Sequence, residues 1–344
     1  MLIREWGLHA RTPREGNGRL HYPERLAFAP DGSFVVIAEP FEDRCQVFAA
    51  ARPGEEEAPR PTQEVDVRTH FGTRLALDGD LLIIPEPENH TVDVFDLRGD
   101  VPVLVTQFGE RGNRFGQLLR ASGVTVDAAR GRVVVSDLAN GRLQVFELQR
   151  EPDGEIRFDP RMSRFVRAFT IDPTAPPFTR AKWPIEPNGL RRDRAGNLLA
   201  VDPRNAGVFV LDQDLDPLIA YGTHGGGPRE LREPTDITMN AAGNGYFIVD
   251  AGNHRIVHID RRGGLQQLFG RAGTGPGEFI RPYGIAAGVD GFVYVTDVGA
   301  HRVVKFDEAG RFVKAWGEKG TGDGQFWKPT GIEQDQEGRL IVLD

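Results

Sequence analysis

Seven acids stand in register along the chain, each closing a short apolar run: Glu39, Glu86, Asp137, Asp202, Asp250, Asp297 and Asp344. Recurring carboxylates suit two chemistries, an oxygen-rich divalent-cation site or general acid–base catalysis. Each of the first six, however, leads into a tight polar loop, as in "DLANGR", "DAGNHR" and "DVGAHR". A short acid there accepts loop N–H groups, as in an Asx turn, and that structural role is the expectation. His90, His254 and His301 recur in the same loops, which marks them as packing or loop-bonding groups. His254 and His258 fall on one strand face, but at a spacing too wide for a chelate, so no metal ligands are assigned. The single cysteine, Cys45, excludes an intrachain disulfide and any multi-cysteine zinc site. The sequence holds no G-x-S-x-G elbow, no P-loop and no H-E-x-x-H, and no catalytic residues are assigned.

The elements that must position these residues repeat. An aromatic, usually followed by glycine, closes each unit: Trp6, Phe71, Phe108, Phe169, Tyr221, Phe269 and Trp316. Within a unit a glycine-rich loop leads to a Pro-x-Gly or Pro-x-Asp step, then to a first apolar stretch and a turn. A second stretch ends in the acid, and a small loop, a third stretch and a fourth follow. The stretches alternate with period two, are rich in β-branched and aromatic residues, and are bounded by Gly, Asp or Asn, the pattern of short antiparallel strands. Four such strands in under fifty residues describe a β-propeller blade, which buries both faces only by stacking on its neighbours.

The stretches "GPGEFIRPYGIAAGVDGFVYVTDVGAHRVVKFD" and "PTDITMNAAGNGYFIVDAGNHRIVHID" resemble NHL repeats. The resemblance spans roughly residues 19–344, weakens at Ala168–Leu211 and is poorest at Phe71–Asp96. It implies an all-β propeller of four-stranded antiparallel blades in one domain, 1–344. Six units have strands one to three, and the seventh, after Gly317, supplies only two. "LIREWG" (Leu2 to Gly7) looks like a fourth strand without its partners. Seven blades are expected, the closing one shared by both termini and three-stranded, with six blades as the alternative; closure would remove exposed edge strands.

Strand alternation puts the glycine-rich loops and the acid-bearing loops on one face, and long loops on a rigid scaffold are where binding resides. The residues starting strand one on that face are Arg25, Arg74, Ser122, Asn188, Thr235 with Asp236, Tyr283 and Thr330. This mixed polar ring suits an acidic group or a polar ligand, or only water. Some propellers of this kind are lyases with zinc-binding histidines at those places. Lactonase-like propellers hold a central divalent cation with acids and an asparagine. None of the seven places carries histidine, and Asn188, Asp236 and Glu186 do not complete a cation ligand set. No cofactor is expected, with an axial Ca2+ as the variation.

The 344 residues carry a net charge of −8, which opposes general polyanion binding. Only five lysines occur, so the positive charge is nearly all arginine; "RRDR" (Arg191 to Arg194) and "DRR" (Asp260 to Arg262) read as solvated turns or a local basic patch. No apolar run suits a signal peptide or a membrane span, so a cytoplasmic monomer is expected, or a secreted one if a leader had been removed. The functional expectation is a non-catalytic scaffold whose loop face holds a protein, peptide or glycan. The alternative is a metal-dependent hydrolase or lyase with its site over the central channel.

Overall fold

Runs such as "RVVVSD" and "GYFIVD" have too many β-branched and aromatic residues for helix, and they form the buried middle strands of successive antiparallel sheets. The computed structural model describes residues 8–9, 19–21, 23, 25–29, 31–49, 61–67, 74–147, 165–169, 189–288, 290–334 and 338–344. The chain divides into two compact units, Met1–Thr170 and Ile171–Asp344.

Among the described residues the first unit holds three four-stranded sheets. Sheet A comprises Arg25–Phe28, Phe34–Glu39, Arg44–Ala49 and Pro61–Asp66. Sheet B comprises Ala76–Asp78, Leu81–Glu86, Thr91–Asp96 and Val103–Phe108. Sheet C comprises Ala121–Asp127, Arg132–Asp137, Arg142–Glu147 and Phe165–Phe169. Sheet B has the same four-strand order although its sequence departs furthest from the repeat. A short parallel pair, Leu8–His9 with Arg19–Leu20, precedes them.

The second unit holds sheet D (Gly189–Arg192, Leu198–Asp202, Gly207–Leu211, Pro217–Tyr221) and sheet E (Pro234–Met239, Gly245–Asp250, Arg255–Asp260, Leu265–Phe269). Sheet F follows with Pro282–Ala287, Phe292–Asp297, Arg302–Asp307 and Phe312–Trp316. Sheet G has two strands, Ile332–Gln334 and Leu340–Val342. The predicted N-terminal strand, residues 2–7, lies outside the described residues.

The core lies between consecutive sheets. Val36, Cys45 and Val47 of sheet A pack on Leu82 and Ile84 of sheet B. Val208 and Tyr221 of sheet D meet Ile237 and Ile248 of sheet E. Phe247 and Phe269 of sheet E meet Val295 and Phe306 of sheet F, whose far side covers Ile332. Sheets B, E and F are therefore packed on both faces by a neighbouring sheet.

Four residues after each strand-two acid the backbone turns left-handed, at Asp43 (φ 49°), His90 (61°), Gly141 (62°), Ala206 (55°), His254 (55°) and His301 (55°). Five of these are not glycine, and a left-handed residue with a Cβ carries strain. At His254 and His301 a compensation is visible: the ring Nδ1 bonds the main-chain carbonyl of Ile280 (2.9 Å) and of Trp327 respectively. His254 and His301 are thus loop-bonding groups, whereas the Nδ1 of His90 is buried without a hydrogen-bond partner among the described residues.

Candidate functional site

The loops that lead into strand one are built from their own residues and then clamped from the adjoining strand. Ahead of sheet F, Phe279 N donates to Arg271 O (2.8 Å) and Gly273 N to Phe279 O (3.1 Å), folding the loop on itself. Glu278 completes it: its carboxylate accepts Gly275 N at 2.8 Å and Arg271 Nε at 2.8 Å. A Cβ on Gly273, which has φ 147°, would collide with that carboxylate, so the side chain and the glycine require one another. The same pairing recurs as Gly112 with Gln117, Gly225 with Glu230 and Gly320 with Gln325. These acceptor bonds, with the nearby Arg271, hold the Glu278 pKa below the ordinary carboxylate value.

The clamp is an arginine five residues after the strand-two acid. Arg142 Nε donates to Asp137 Oδ2 at 2.8 Å, and its other nitrogens bond the loop carbonyls of Asn113 (3.0 Å), Arg114 (2.6 Å) and Gln117 (2.8 Å). Arg255 repeats this with Asp250 (2.8 Å) and the carbonyls of Gly226, Gly227 and Glu230. Arg302 bonds the carbonyls of Thr274, Gly275 and Glu278, but its Nε stays 3.8 Å from Asp297.

The acids are saturated as well as buried. Asp137, Asp202, Asp250 and Asp297 have no solvent exposure. Asx-type bonds to the following loop occur, as expected, at Asp202 (Asn205 N, 2.9 Å) and Asp297 (Ala300 N, 3.2 Å). Further bonds run back to the start of strand one: Leu119 N to Asp137, Arg232 N to Asp250, Arg281 N to Asp297 (2.8 Å) and Lys328 N to Asp344 (2.6 Å). Their structural role stands, with more of the bonds reaching backward than the loop sequence suggested.

These anchors leave a two-residue step on the surface of the second unit. A buried Leu231 and Pro234 flank exposed Arg232 and Glu233; a buried Phe279 and Pro282 flank exposed Ile280 and Arg281. Half-buried Phe326 and buried Pro329 flank exposed Trp327 and Lys328.

The NHL-repeat family profile matches residues 118–146 and 279–306. Each match starts at a buried loop anchor, Leu118 or Phe279, and ends in the third strand at Phe146 or Phe306. The chain carries NHL repeats. No curated protein matches it. Among solved structures, a hydrazine synthase from Kuenenia stuttgartiensis superposes with a TM-score of 0.64 at 15% identity, over 98% of this chain and 99% of that one. A streptogramin B lyase gives 0.62 at 14% identity, covering 93% and 89%. A catalytically inactive virginiamycin B lyase from Staphylococcus aureus, with quinupristin, gives 0.61 at 13%, covering 93% and 91%. At these identities the likeness is one of fold: all-β, built of four-stranded antiparallel sheets, a β-propeller.

In the NHL-repeat chain the predicted ring residues play unequal parts. In the first unit, Arg25 opens sheet A, Arg74 N donates to Ser122 O (3.2 Å), and Ser122 Oγ meets Ser136 Oγ at 3.2 Å. In the second, Thr235 Oγ1 donates to Tyr283 O (2.6 Å), and Thr330 O accepts from Thr296 Oγ1 (2.8 Å). Asp236 accepts the main-chain N–H of Ile237 (3.0 Å) and of Ile285 (3.3 Å). These join neighbouring sheets. Asn188 lies outside the described residues.

Sequence reasoning missed a charge cluster that joins three sheets of the second unit. Arg191 is not a solvated turn residue; it lies in strand one of sheet D, where its guanidinium bonds Glu333 of sheet G and lies 3.8 Å from Asp236 of sheet E. It also reaches the carbonyls of Ile237 and Ile285, both at 3.5 Å. Burial works against its charge, but the two carboxylates outweigh that and raise its pKa above the ordinary value. A signal existed: aligned by repeat, Arg191 and Glu333 share one position, which holds Ala27, Ala76, Thr125, Thr238 and Ala286 elsewhere. By contrast, "DRR" is a turn, with Asp260 accepting Arg262 N and Gly264 N at 2.8 Å each. Among the described residues no three His, Cys, Asp or Glu side chains group to hold a metal ion, and no helix is long and apolar enough to cross a membrane.

Proposed function

We propose that this protein is a non-catalytic binding scaffold that presents a rigid loop face to a protein or peptide partner. In this reading the seven units act as one domain, with the closing unit shared by both termini. The observation that carries it is the use made of the conspicuous side chains. The strand-two acids, the arginines after them and the Glu or Gln of each glycine-rich loop are spent on one another and on backbone groups. Such bonds fix loop conformation before any partner arrives, and a pre-ordered surface loses little entropy on binding.

The second reading is a metal-dependent hydrolase or lyase. It draws on the hydrazine synthase and the two lyases that share the fold, and on the polar cluster of Asp236 and Glu333. Fold alone assigns no chemistry. Against it stands Arg191, whose guanidinium already occupies the space that a cation between those carboxylates would take.

Metal analysis with thermal melts in Ca2+, Zn2+, Mg2+ and EDTA separates the two. A ligand that binds only the folded state at a hundred times its Kd adds about 2.7 kcal/mol. The scaffold reading expects melting to move by less than about 1 °C between EDTA and added metal. A stoichiometric ion, with EDTA lowering the melting temperature by several degrees, would overturn it.

A further inference from the structure

The second unit exposes apolar side chains where its backbone is held hardest. Ile280 is 40% and Trp327 44% exposed, yet the N–H of each donates to the strand-two acid of its own repeat, buried Asp297 at 3.0 Å and exposed Asp344 at 2.7 Å. Their carbonyls are bonded by His254 and His301 of the preceding sheets. The residues that follow, Arg281 and Lys328, are exposed cations with main-chain N–H groups tied to the same two acids. Lys319, also exposed, holds its ammonium 4.6 Å from the Trp327 ring centroid. The preceding step contributes Arg232 and an acid, Glu233, and exposed Glu318 and Asp344 stand beside Lys319 and Lys328.

Consecutive steps belong to sheets in direct contact. His254 of sheet E reaches Ile280, His301 of sheet F reaches Trp327, and Thr235 bonds Tyr283 at the foot of the same loops. The two steps therefore carry the same order, an apolar and then a cationic side chain, Ile280–Arg281 and Trp327–Lys328, on backbone held by hydrogen bonds. Exposed apolar groups on rigid supports, rimmed by charge, mark an interaction site.

We propose that this face binds an extended acidic peptide segment of a protein partner, with apolar side chains on Ile280 and Trp327 and carboxylates on Arg281, Lys328 and Lys319. The inference rests on the scaffold reading and names its partner. Charge complementarity decides the sign: a segment with a few carboxylates suits this local patch. A long polyanion meets the field of a chain whose net charge is −8. Ile280 also offers no ring on which a base could stack, which favours peptide over single-stranded nucleic acid.

The test is selection of a displayed random twelve-residue peptide library on the full chain, followed by titration of the enriched peptides labelled with fluorescein. Enriched peptides should combine Asp or Glu with aliphatic or aromatic residues. Their Kd should rise at least tenfold in Trp327→Ala and in the double variant Arg281→Glu/Lys328→Glu, and should rise with salt. All three positions are exposed, so melting should stay within about 2 °C of the parent. Val103→Glu, on an exposed strand of sheet B, is the control and should leave the Kd unchanged. Enriched peptides that bind equally to the step variants would overturn this surface while leaving the scaffold reading in place. Enrichment without acids, or no enrichment, would overturn the proposal. Binding of a ten-nucleotide oligouridine with the same variant sensitivity, without peptide binding, would replace it with an RNA site. The metal and EDTA melts judge the scaffold reading independently.

Discussion

Sheets B and C of the first unit follow one backbone plan, yet they solve the burial of their strand-two acid in different ways. In sheet C, Asp137 receives Arg142 (2.8 Å), Asn140 (2.7 Å) and Gln144 (3.0 Å), and Arg142 passes on to three loop carbonyls. In sheet B the acid is Glu86, the place of the arginine is taken by Thr91 and that of the glutamine by Asp93. Glu86 accepts Asn89 Nδ2 at 2.8 Å, while Asp93 is held by Gln107 (2.7 Å) and Thr91 (3.4 Å). The stretch ahead of sheet B, "HFGTR", is also where the sequence lacks the glycine-rich loop. Arginine and loop vary together because the arginine needs the loop carbonyls, and a buried acid without arginine needs neutral donors instead.

Removing the clamp is the severest way to break the comparison. Arg142→Ala would leave Asp137 buried beside an empty space and unbind the loop, which costs about 3–5 kcal/mol. Melting should fall by roughly 10 °C. A fall under about 2 °C would mean that neutral donors suffice and that sheet B is the general case. Arg302→Ala sharpens the contrast, because Arg302 holds its loop without a direct hydrogen bond to Asp297. Its loss should cost about half as much, and a loss equal to that of Arg142→Ala would locate the stabilisation in the loop bonds alone.

The smallest effect is expected in sheet B and has the opposite sign. Burial raises the Asp93 pKa, with the bonds from Gln107 and Thr91 opposing the shift only in part. A carboxyl whose folded pKa is raised contributes stability that is complete below its unfolded pKa and is lost as pH rises through the folded value. Asp93→Asn should therefore raise the melting temperature at pH 7, on the order of 2 °C. The gain should vanish in acid, where the parent is protonated. Destabilisation at pH 7 that persists in acid would show that Asp93 matters for its geometry and not for its charge.

The repeat, its strands and the structural role of the strand-two acids were legible in the sequence, because period-two alternation and the turn residues act within a few residues of one another. Sheet B was readable as strands even where its motif faded, since Leu81–Glu86 and Thr91–Asp96 keep the apolar alternation. The candidate site was legible only in part. Threonine and aspartate at the start of strand one stand out in the sequence, and they do join sheets, but Arg191 reads there as a solvated turn or part of a local basic patch. Its partner Glu333 stands 142 residues away, beyond the reach of any local pattern.

What the sequence determined by itself is the unit: four short strands, a loop whose glycine and Glu or Gln fit each other, and an acid followed by arginine. Those relations are short in chain distance, so residue type and spacing suffice to specify them. Stacking of sheet on sheet decided the rest. It brought Arg191 between Asp236 and Glu333, set His254 and His301 on their neighbours' carbonyls, and left Ile280 and Trp327 in solvent while their backbones were tied down. Burial and charge pairing depend on which surfaces meet, and distant repeats of the chain meet only when the sheets pack.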